Sequence, residues 1–559
     1  MRQFLKYIKR KKLKPNVSRY LVVTSMLFFS NLSFGQTSSE SETNYFLYSI
    51  IALGILLLGW AILNLTDNLM QIEAKKRGAD TTKENFSVFP GFREMFGARP
   101  PKYAKGAPFY NLSKGHNILL EGVADNSNII EHKPTRVAVR PPDFKGIAPI
   151  PKLEVAVGDE VKAGDPIFFD KKNPDVKYVA PVSGEIVEVI RGAKRAINEV
   201  VILADKEQTY REFSPPSLEN SSREELAGFM ASSGLLPHIN QRPFDIVPAK
   251  EDIPRDIFIS TFDTSPLAID QNIVVDGREN AFQKGLEVLS KLTSGSVHLG
   301  LSANGVNPPH QAFTDAEGVA KYYFKGKHPA GNVGVQIHHI KPINASDSVW
   351  TLKVRDVIII GEVFLSGKYD STSLIAMTGS QFEENKIIKT NIGVNLKEIL
   401  GSNLKKDLKV RLIDGNVLTG RTVLENGFLS HKTDQITSIK EGDYYELFGW
   451  LLAIKPRPTI SRTYPNFLFP EYRFEGDTNT HGEKRAFVVT GQYESVLPMD
   501  IYPQHIMKAI MTNDFEKMEG LGLIELSEED VALCEFVCTS KMPLQSILRQ
   551  GLDMMRDQM

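Results

Sequence analysis

The longest apolar stretch of the chain without a charged residue runs from Tyr45 to Leu65. As a helix, a stretch of that length reaches across a bilayer core of about 30 Å. Tyr48 and Trp60 stand towards its two ends, and aromatic residues are enriched where a helix meets the membrane surface. The pattern therefore predicts one N-terminal transmembrane helix over residues 45–66.

The segment before this stretch has a basic start, a short apolar run and small residues near its end. That order is typical of a signal peptide, and we predict a signal-like segment over residues 1–35. Acidic residues, Glu40 and Glu42, precede the predicted span, and basic residues follow it at positions 75–77. By the positive-inside rule, this difference predicts a bacterial inner-membrane protein whose body lies on the cytoplasmic side.

Residues 67–109 are rich in proline, glycine and aromatic residues without a regular period, which predicts a linker. After the linker, alternating apolar residues and closely spaced glycines predict a β-rich module over residues 110–206. The turn chemistry and the period of two favour strands over helices throughout this part of the chain.

Two half-motifs define the β-rich module: Val157-Gly-Asp-Glu-Val-Lys-Ala-Gly-Asp-Pro-Ile and Ala180-Pro-Val-Ser-Gly-Glu-Ile. Glycines at tight turns and inward-facing Val and Ile are the pattern of a barrel-sandwich (biotinyl/lipoyl-like) module. The turn between the halves carries Lys171 and Lys172 but lacks the methionines that flank a carrier lysine. We therefore expect that the module is retained, that the carrier chemistry is lost, and that this turn faces solvent or a partner subunit.

The pattern changes after residue 207, where short buried runs alternate with a helical period. The segments 257–261 and 296–301 have the composition of buried strands, and 280–292 between them has the apolar spacing of a helix. This β-α-β order predicts a Rossmann-like α/β domain over residues 207–365.

The apolar run from Val357 to Leu365 predicts a further strand. It leads into a second strand at Leu374 and a helix at 395–400, an order that suits a β-grasp (SLBB-like) domain over residues 366–450. The final region, 451–559, is predicted to be largely helical. The expected fold class is thus α+β and multidomain.

The charge and cysteine content exclude several functions. A formal net charge of −1 gives no basic excess with which to bind nucleic acid. The two cysteines, Cys534 and Cys538, are too few for a disulfide scaffold or a four-thiolate iron–sulfur site. Because they lie four residues apart on a predicted helix, we interpret them as core residues; a metal site is the alternative, although further ligands are missing nearby.

Other candidate chemistry is weak. His338 and His339 are adjacent in a segment predicted to be a strand, so their side chains should point to opposite faces and not share a metal. No nucleophile elbow, zinc-protease motif or phosphate-binding loop occurs in the sequence. From the residues alone, we expect neither a catalytic residue nor a metal site in this chain.

Several stretches, in collinear order, resemble one known family. They are Val157 to Arg195, Arg242-Pro-Phe, Asp263-Thr-Ser-Pro-Leu-Ala, His328-Pro-Ala-Gly, Glu446-Leu-Phe-Gly-Trp and Ala532-Leu-Cys-Glu-Phe-Val-Cys. Together they make the chain similar to the A subunit of the Na+-translocating NADH:quinone oxidoreductase (Na+-NQR) over about residues 112–555. The signal-like segment and the predicted membrane span depart from that family.

The resemblance implies a role in a membrane complex that oxidises NADH, reduces quinone and exports Na+. It implies that the flavins and an iron–sulfur centre belong to partner subunits, so this chain is expected to bind no redox cofactor. It also implies a distant similarity to the flavin- and NADH-binding subunit of complex I. In place of the glycine-rich loop of that protein, residues 234–245 contain one glycine and two prolines, which cannot form a backbone phosphate cradle.

Two loops are candidates for contact with quinone. Phe144 with Lys145, and Phe244 with Gln241 and Arg242, offer aromatic walls and hydrogen-bond donors for a quinone head group. The alternative is that both are ordered, proline-rich loops at domain or subunit interfaces.

Two other functions fit part of the pattern. A membrane adaptor protein built on a lipoyl-like module would also need long coiled-coil heptads and a periplasmic body. The related component of the Rnf-type electron-transport complex would need two four-cysteine motifs and a glycine-rich flavin loop. The predicted function is therefore a docking subunit of the quinone-reducing translocase, not catalytic alone, whose partners are the other subunits, the membrane and quinone.

Overall fold

The structure is a computed structural model that describes residues 45–76, 99–405, 409–446, 448, 457–461, 464–468 and 470–558. The predicted signal-like segment, residues 1–35, lies outside the described residues, as does much of the predicted linker, residues 77–98. The chain divides into two compact units, one ending at Ala98 and one beginning at Arg99.

The described part of the first unit is one helix, α1 (Tyr45–Lys76). The predicted transmembrane helix over residues 45–66 falls within α1. Across the described ranges, no helix combines the length and the apolar character needed to cross a membrane, so the predicted span is not supported.

The second unit begins with two short strands that join sheets built from much later parts of the sequence. These strands are β1 (Phe109–Asn111) and β2 (Asp125–Glu131). They lie at the edges of two different sheets, described below, although the sequence pattern predicted a single β-rich module over residues 110–206.

Two antiparallel sheets form the predicted barrel-sandwich module. Their strands are β3 (Arg136–Val139), β4 (Lys152–Leu153), β5 (Glu160–Val161), β6 (Pro166–Asp170), β7 (Asn173–Val179), β8 (Gly184–Arg191) and β9 (Ile197–Ala204). The sheet orders are β3-β9-β8-β5 and β4-β6-β7. The alternating apolar residues, including Ile167, Ile186 and Ile202, are completely buried between them, as the period of two predicts.

Close approach of two strands explains the glycine of the second half-motif. A Cβ at Gly184, which opens β8, would lie 1.9 Å from the carbonyl oxygen of Leu203 on β9. No side chain fits at this crossing. The other feature of the motif, the turn with Lys171 and Lys172 between β6 and β7, is exposed.

A mostly parallel sheet with helices forms the α/β domain. Its elements are α2 (Arg223–Ser232), β10 (Asn240–Arg242), β11 (Asp256–Ser260), α3 (Gln271–Val275), α4 (Glu279–Leu292), β12 (Val297–Ser302), α5 (Gln311–Thr314), β13 (Ala320–Lys325), α6 (Val333–Ile340), β14 (Val349–Lys353) and α7 (Val354–Ser366). The sheet order is β1-β13-β12-β11-β14-β10, with β10 antiparallel and the other strands parallel. The predicted unit β11-α4-β12 is confirmed.

The order of these strands creates a topological switch point. From β11 the chain proceeds outward through β12 and β13 on one side, and then returns to place β14 on the other side. Open α/β sheets bind ligands outside the carboxyl ends of the strands at such a point. The crevice between the ends of β11 and β14 is therefore where a site is expected.

Two glycines let α4 and α7 pack at backbone distance. A Cβ at Gly361 would lie 1.8 Å from the carbonyl oxygen of Ala281, and one at Gly285 would lie 2.2 Å from that of Val357. Because glycine has no side chain, the two helix backbones can come into direct contact at these positions. The contact fixes the position of α7, which begins at the switch point, relative to α4.

Two secondary-structure predictions in this domain are wrong. Val357 to Leu365 belongs to α7 and not to a strand. Nine of the thirteen residues of this helix are buried, including all from Val354 to Gly361, so a helical period of polar positions is missing there. His338 and His339 lie in α6 and not in a strand. His338 Nδ1 lies 2.9 Å from Glu525 Oε2, and His339 Nε2 lies 2.8 Å from the Pro498 carbonyl oxygen, so both contact the C-terminal region.

The third domain is a mixed sheet with one short helix. Its elements are β15 (Thr372–Thr378), β16 (Lys386–Asn391), α8 (Leu396–Leu400), β17 (Val410–Asp414), β18 (Arg421–Val423) and β19 (Gln435–Lys440). The sheet order is β18-β17-β19-β15-β16-β2. The predicted strand at Leu374 and the predicted helix at 395–400 are confirmed. β2 completes this sheet by pairing in parallel with β16.

The described part of the C-terminal region packs five α-helices around a core that also includes Phe324 and Val335 of the α/β domain. They are α9 (Gln492–Val496), α10 (Pro503–Met511), α11 (Phe515–Gly520), α12 (Glu528–Val537) and α13 (Leu544–Arg556). Between 457 and 491, the described residues contain a single helical turn, Pro465–Leu468, so helices occupy only the later part of the predicted region.

Cys534 and Cys538 are both buried in this core, as interpreted from the sequence. The Tyr493 hydroxyl donates a hydrogen bond to Cys538 Sγ (2.8 Å), and Cys534 Sγ lies 3.9 Å from the Tyr493 carbonyl oxygen. Burial raises the pKa of the Cys534 thiol well above its ordinary value. The Cys534 thiol is therefore held in its unreactive, protonated form.

Candidate functional site

A cleft of about 530 Å³ opens at the switch point of the α/β sheet, and its volume is in the range of small-molecule sites. Ser260 and Lys353, at the carboxyl ends of β11 and β14, line it. The other walls are the loop 143–145, the segment after β10, two loops of the third domain, and the amino-terminal ends of α6, α7 and α12. Three parts of the second unit thus meet at this cleft.

One loop of the third domain, Ser430–Asp434, is attached firmly to the α/β domain. Lys353 Nζ donates to the Lys432 carbonyl oxygen (3.2 Å) and lies 3.1 Å from Asp434 Oδ2. Arg355 donates to the carbonyl oxygens of Thr433 (2.8 Å) and His431 (2.9 Å). Hydrogen bonds from charged donors are strong and directional. We therefore expect these bonds to fix the position of the loop relative to the switch point.

The side chain of Lys432 extends from this loop into the cleft. Its ammonium nitrogen is buried and has no hydrogen-bond partner among the described residues. Burial lowers the pKa of Lys432 to about 8, an effect opposed by the nearby Asp356 carboxylate and reinforced by Arg355. A buried, unpaired ammonium is costly to maintain, so its presence at a cleft indicates a ligand-binding role.

A buried hydrogen-bonded triad lies against this loop. His238 Nδ1 is 2.9 Å from Asp356 Oδ1, and His238 Nε2 is 2.9 Å from the Tyr369 hydroxyl. Burial lowers the pKa of His238, so its neutral ring donates to Asp356 and accepts from Tyr369. Although burial opposes ionisation, Arg355 and His238 lower the pKa of Asp356. Both ring nitrogens are occupied, which makes this triad a support for the cleft.

Ion pairs form the opposite wall of the cleft. Lys145 Nζ lies 2.6 Å from Asp245 Oδ2 and 2.9 Å from Glu528 Oε2. Burial alone would raise the pKa of Asp245, but Lys145 and then Arg242 hold it at about 2. These contacts connect the loop before the barrel-sandwich module, the segment after β10 and the first turn of α12.

Arg242 is the most buried cation of this wall. Its guanidinium donates to Asp530 Oδ2 (3.0 Å), to Glu529 Oε1 (2.8 Å) and to the Ser527 hydroxyl (2.8 Å). Arg242 and Asp530 are 2% and 0% exposed. The same Ser527 and Asp530 form the capping box of α12, so one arginine ties the α/β sheet to the start of a C-terminal helix.

Of the five residues predicted for quinone contact, Phe144, Lys145 and Arg242 line the cleft. The Phe144 ring is 3% exposed and packs against Tyr178 and His431, with ring centroids 4.6 and 5.0 Å away. The charged groups of Lys145 and Arg242 are engaged by carboxylates. The structure therefore brings these three residues together, but with their polar groups already bonded.

The other two predicted residues, Gln241 and Phe244, lie outside the cleft lining. Gln241 Oε1 accepts a hydrogen bond from Trp350 Nε1 (3.1 Å). Phe244 packs against the core of the C-terminal helices. The contact of Phe244 with the C-terminal helices is of the kind expected at a domain interface, and quinone contact by these two residues stays a prediction.

Sequence reasoning missed Lys432, His238 and Asp356. Lys432 stands in a short polar run, 430–434, whose composition is that of an ordinary surface turn. Asp356 carried a weaker signal: with Lys353 and Arg355 it places charges among apolar residues directly before the run 357–365. A charged residue among apolar ones is rarely buried without a partner, and it commonly has a role in a binding site or in a buried ion pair.

Within the described ranges, one group of three residues, Asp276, Glu279 and His310, has the spacing of metal ligands. The His310 Nδ1 accepts a hydrogen bond from the Ala312 amide (3.2 Å). His310 Nε2 faces the carboxylates of Asp276 and Glu279 at 3.6 and 3.8 Å. The Asp276 side chain is 76% exposed, and exposed acidic groups commonly bind no ion, so no ligand is assigned to this cluster.

Three family models match the chain. The NqrA N-terminal barrel-sandwich hybrid domain matches residues 110–205, the NqrA second alpha/beta domain matches 221–369, and the NQRA C-terminal domain matches 374–425. The barrel-sandwich, α/β and SLBB-like parts of the expected fold class are confirmed by these matches.

Curated proteins of the same family are similar over most of the chain. The A subunit of the Na+-translocating NADH-quinone reductase from Alcanivorax borkumensis is 37% identical, covering 79% of this chain and 98% of that protein. Its counterpart from Vibrio atlanticus is 36% identical over 75% of this chain and 93% of that protein.

Among solved structures, an NAD+-reducing NiFe-hydrogenase matches with a TM-score of 0.28 and 11% identity over 40% of this chain and 50% of that one, too low to indicate a shared fold. The three domain matches and the relatives agree with each other, and with the collinear motifs of the sequence. This chain belongs to the NqrA family, the A subunits of the Na+-translocating NADH-quinone reductases.

Proposed function

We propose that this chain serves as the A subunit of a respiratory complex that couples NADH oxidation and quinone reduction to Na+ export. The observation that carries the proposal is the match of all three domains, in order, to that family. The chain is not catalytic alone and acts in docking. Its partners are the other subunits of the complex at a bacterial inner membrane, with its body on the cytoplasmic side.

In this proposal the chain binds no redox cofactor, and the flavins and the iron–sulfur centre of the complex are held by partner subunits. Two observations support it. Cys534 and Cys538 are buried and in contact with Tyr493, and the chain has only these two cysteines, whereas an iron–sulfur cluster is usually held by four thiolates. The segment 234–245 contains one glycine and two prolines and so lacks the amide groups of a flavin phosphate loop.

The exposed turn between β6 and β7 is the docking surface that we propose. Lys171 and Lys172 are exposed at its tip, and a second basic turn, Arg191 to Arg195, is largely exposed at the end of β8. Charged turns on a rigid module steer and orient an acidic partner surface. A barrel-sandwich module that has lost its carrier role retains the rigidity that such docking requires.

Replacing Lys171 and Lys172 together with glutamate is expected to reduce recovery of flavin-carrying partners when this chain is purified from membranes in mild detergent. The physical reason is charge reversal at the contact, where like charges repel. Flavin fluorescence per chain measures the recovery. The control is Lys291→Glu, at an exposed position on α4.

Recovery of the unchanged chain alone, from membranes that retain Na+-stimulated NADH:quinone activity, would contradict the chain's membership of the complex. Full partner recovery by the double variant would contradict only the docking turn.

For quinone, we propose contact at the cleft wall formed by Phe144, Lys145 and Arg242. Gln241 and Phe244 pack outside the cleft lining, and we propose that they hold this wall in position. Lys145→Met is expected to raise the quinone KM by ~10–100-fold, the range for one lost hydrogen bond from a charged group. The NADH KM should not change, because the nucleotide is bound elsewhere in the complex.

Steady-state rates in membranes with varied quinone measure this effect, and Lys291→Met is the matched control. The amount of assembled complex is measured alongside, because Lys145 also pairs with Asp245 and Glu528. A normal quinone KM in assembled complex would contradict quinone contact at this wall.

A further inference from the structure

The cleft at the switch point has a distinct base, which we call the cleft floor: Lys432 together with the first turns of α6 and α7. Gly331, Asn332 and Val333 line the cleft at the start of α6, and Lys353 and Val354 line it at the start of α7. The first turns of both helices, where the positive ends of their dipoles lie, therefore line the same cleft as Lys432.

These two helix starts differ from that of α12, which also reaches the cleft. α12 has a capping box and three acidic residues in its first turn, which satisfy its amide groups and its dipole. Within the described structure, neither Asn332 nor Lys353 gives its helix a side-chain cap. The first-turn Asp356 of α7 is hydrogen-bonded to His238 and Arg355 and gives no cap to the helix amides.

The carboxylates near Lys432 do not neutralise it. Asp245 is paired with Lys145, and Asp356 with Arg355 and His238. The Lys432 Nζ is left with neither a carboxylate nor a hydrogen-bond partner in the described part of the chain. Two open helix starts and one unpaired ammonium are the donors with which proteins bind a phosphate group.

We propose that the cleft floor is a binding site for a phosphate group, held by the Lys432 ammonium and by the amino-terminal amides of α6 and α7. The cleft above it, about 530 Å³ with mainly polar and charged walls, has room for the rest of a small organic phosphate. This site does not depend on the proposed role in quinone reduction.

The first test is calorimetric titration of the full-length protein with inorganic phosphate at pH 7.5 in low salt. One phosphate per chain is expected, and Lys432→Met should weaken binding by ~10–100-fold, the range for one lost hydrogen bond to a charged group. Lys432→Arg keeps the charge and should retain most of the affinity. Lys291→Met, which removes an exposed lysine from α4, should bind as the unchanged protein does.

The source of the phosphate is distinguished by two further titrants. A nucleoside monophosphate that binds at least tenfold more tightly than inorganic phosphate identifies an organic phosphate as the ligand. Equal affinities identify the free anion. Both outcomes support the site. Succinate, which carries carboxylates only, should bind much more weakly; equal binding of succinate would overturn the assignment to phosphate.

The unchanged protein provides a test that needs no variant. Groups facing Lys432 are Asp356 and Arg355 of α7, Lys353 of β14, Asp245 after β10, and the rings of His431 and His238. Because the pKa of Lys432 is lowered to about 8, its charge is present below that pH and lost above it. Phosphate affinity should therefore fall between pH 7.5 and 9.5, although phosphate itself becomes more negatively charged over that range.

Stability separates this role from a purely structural one. Without phosphate, Lys432→Met should unfold at a temperature no lower than the unchanged protein, because it removes a buried charge that lacks a partner. Phosphate should raise the unfolding temperature of the unchanged protein by more than it raises that of Lys432→Met. No phosphate binding by the unchanged protein at millimolar concentration, or equal binding by Lys432→Met, would overturn the proposal.

Discussion

Replacing Arg242 with methionine is expected to destabilise the contact between the α/β domain and the C-terminal helices by about 3–5 kcal/mol. The methionine removes the cation that faces Asp530, a carboxylate that is 0% exposed, and also the donors to Glu529 and Ser527. A buried charge without its partner cannot regain the solvation it lost on folding. Amide hydrogen exchange in α12 and α13 should accelerate on the order of a hundredfold or more.

Two further variants make this result specific. Arg136→Met removes an exposed arginine from β3 and should change stability by no more than about 0.5 kcal/mol. Adding Asp530→Asn to Arg242→Met should recover part of the loss, because the unpaired charge is then gone. Normal exchange rates in α12 of Arg242→Met would show that the ion pair does not hold this interface.

The second large effect concerns Gly361, where α7 touches α4. Gly361→Ala is expected to lower the free energy of unfolding by about 1–3 kcal/mol, because the new methyl group would lie 1.8 Å from the Ala281 carbonyl oxygen. The obstacle is backbone, so the two helices must separate. Since α7 begins at the switch point, the separation should also disturb the floor of the cleft. Thermal unfolding followed by circular dichroism measures the loss.

Gly228→Ala is the matched control, because Gly228 lies inside α2 with nothing within 4 Å of the added Cβ. There, alanine should stabilise by about 0.5–1 kcal/mol through its better helix propensity. The same substitution is thus expected to have opposite signs in two helices of one domain. A neutral or stabilising Gly361→Ala would mean that α4 and α7 do not meet as closely as described.

Elements with a clear period were predictable from the sequence, and elements buried on all sides were not. α4 shows polar residues on one face and Phe282, Leu286 and Leu289 on the other, so its period of 3.6 is visible. α7 is buried almost throughout, and its β-branched run has the same composition as a buried strand. Length alone could have separated the two, because the run is longer than an average strand.

The site was only partly predictable for a different reason. Aromatic and basic residues next to prolines mark Phe144, Lys145 and Arg242 in the sequence, and these do line the cleft. Lys432 reaches the same place from a different domain, by way of a tertiary contact with Lys353 and Arg355. A single sequence contains no record of which polar turn is brought to which sheet edge.

The pairing of β1 with β13, and of β2 with β16, has a consequence for synthesis on the ribosome. At roughly 5–20 residues per second, the partners of both early strands emerge on the order of ten seconds or more after them. Until then β2 exposes an unpaired backbone edge and the side chains of Ile129 and Ile130, which stay 45% and 40% exposed even in the finished protein. Translation rate and chaperone supply should therefore influence the yield of this chain more strongly than its final stability does.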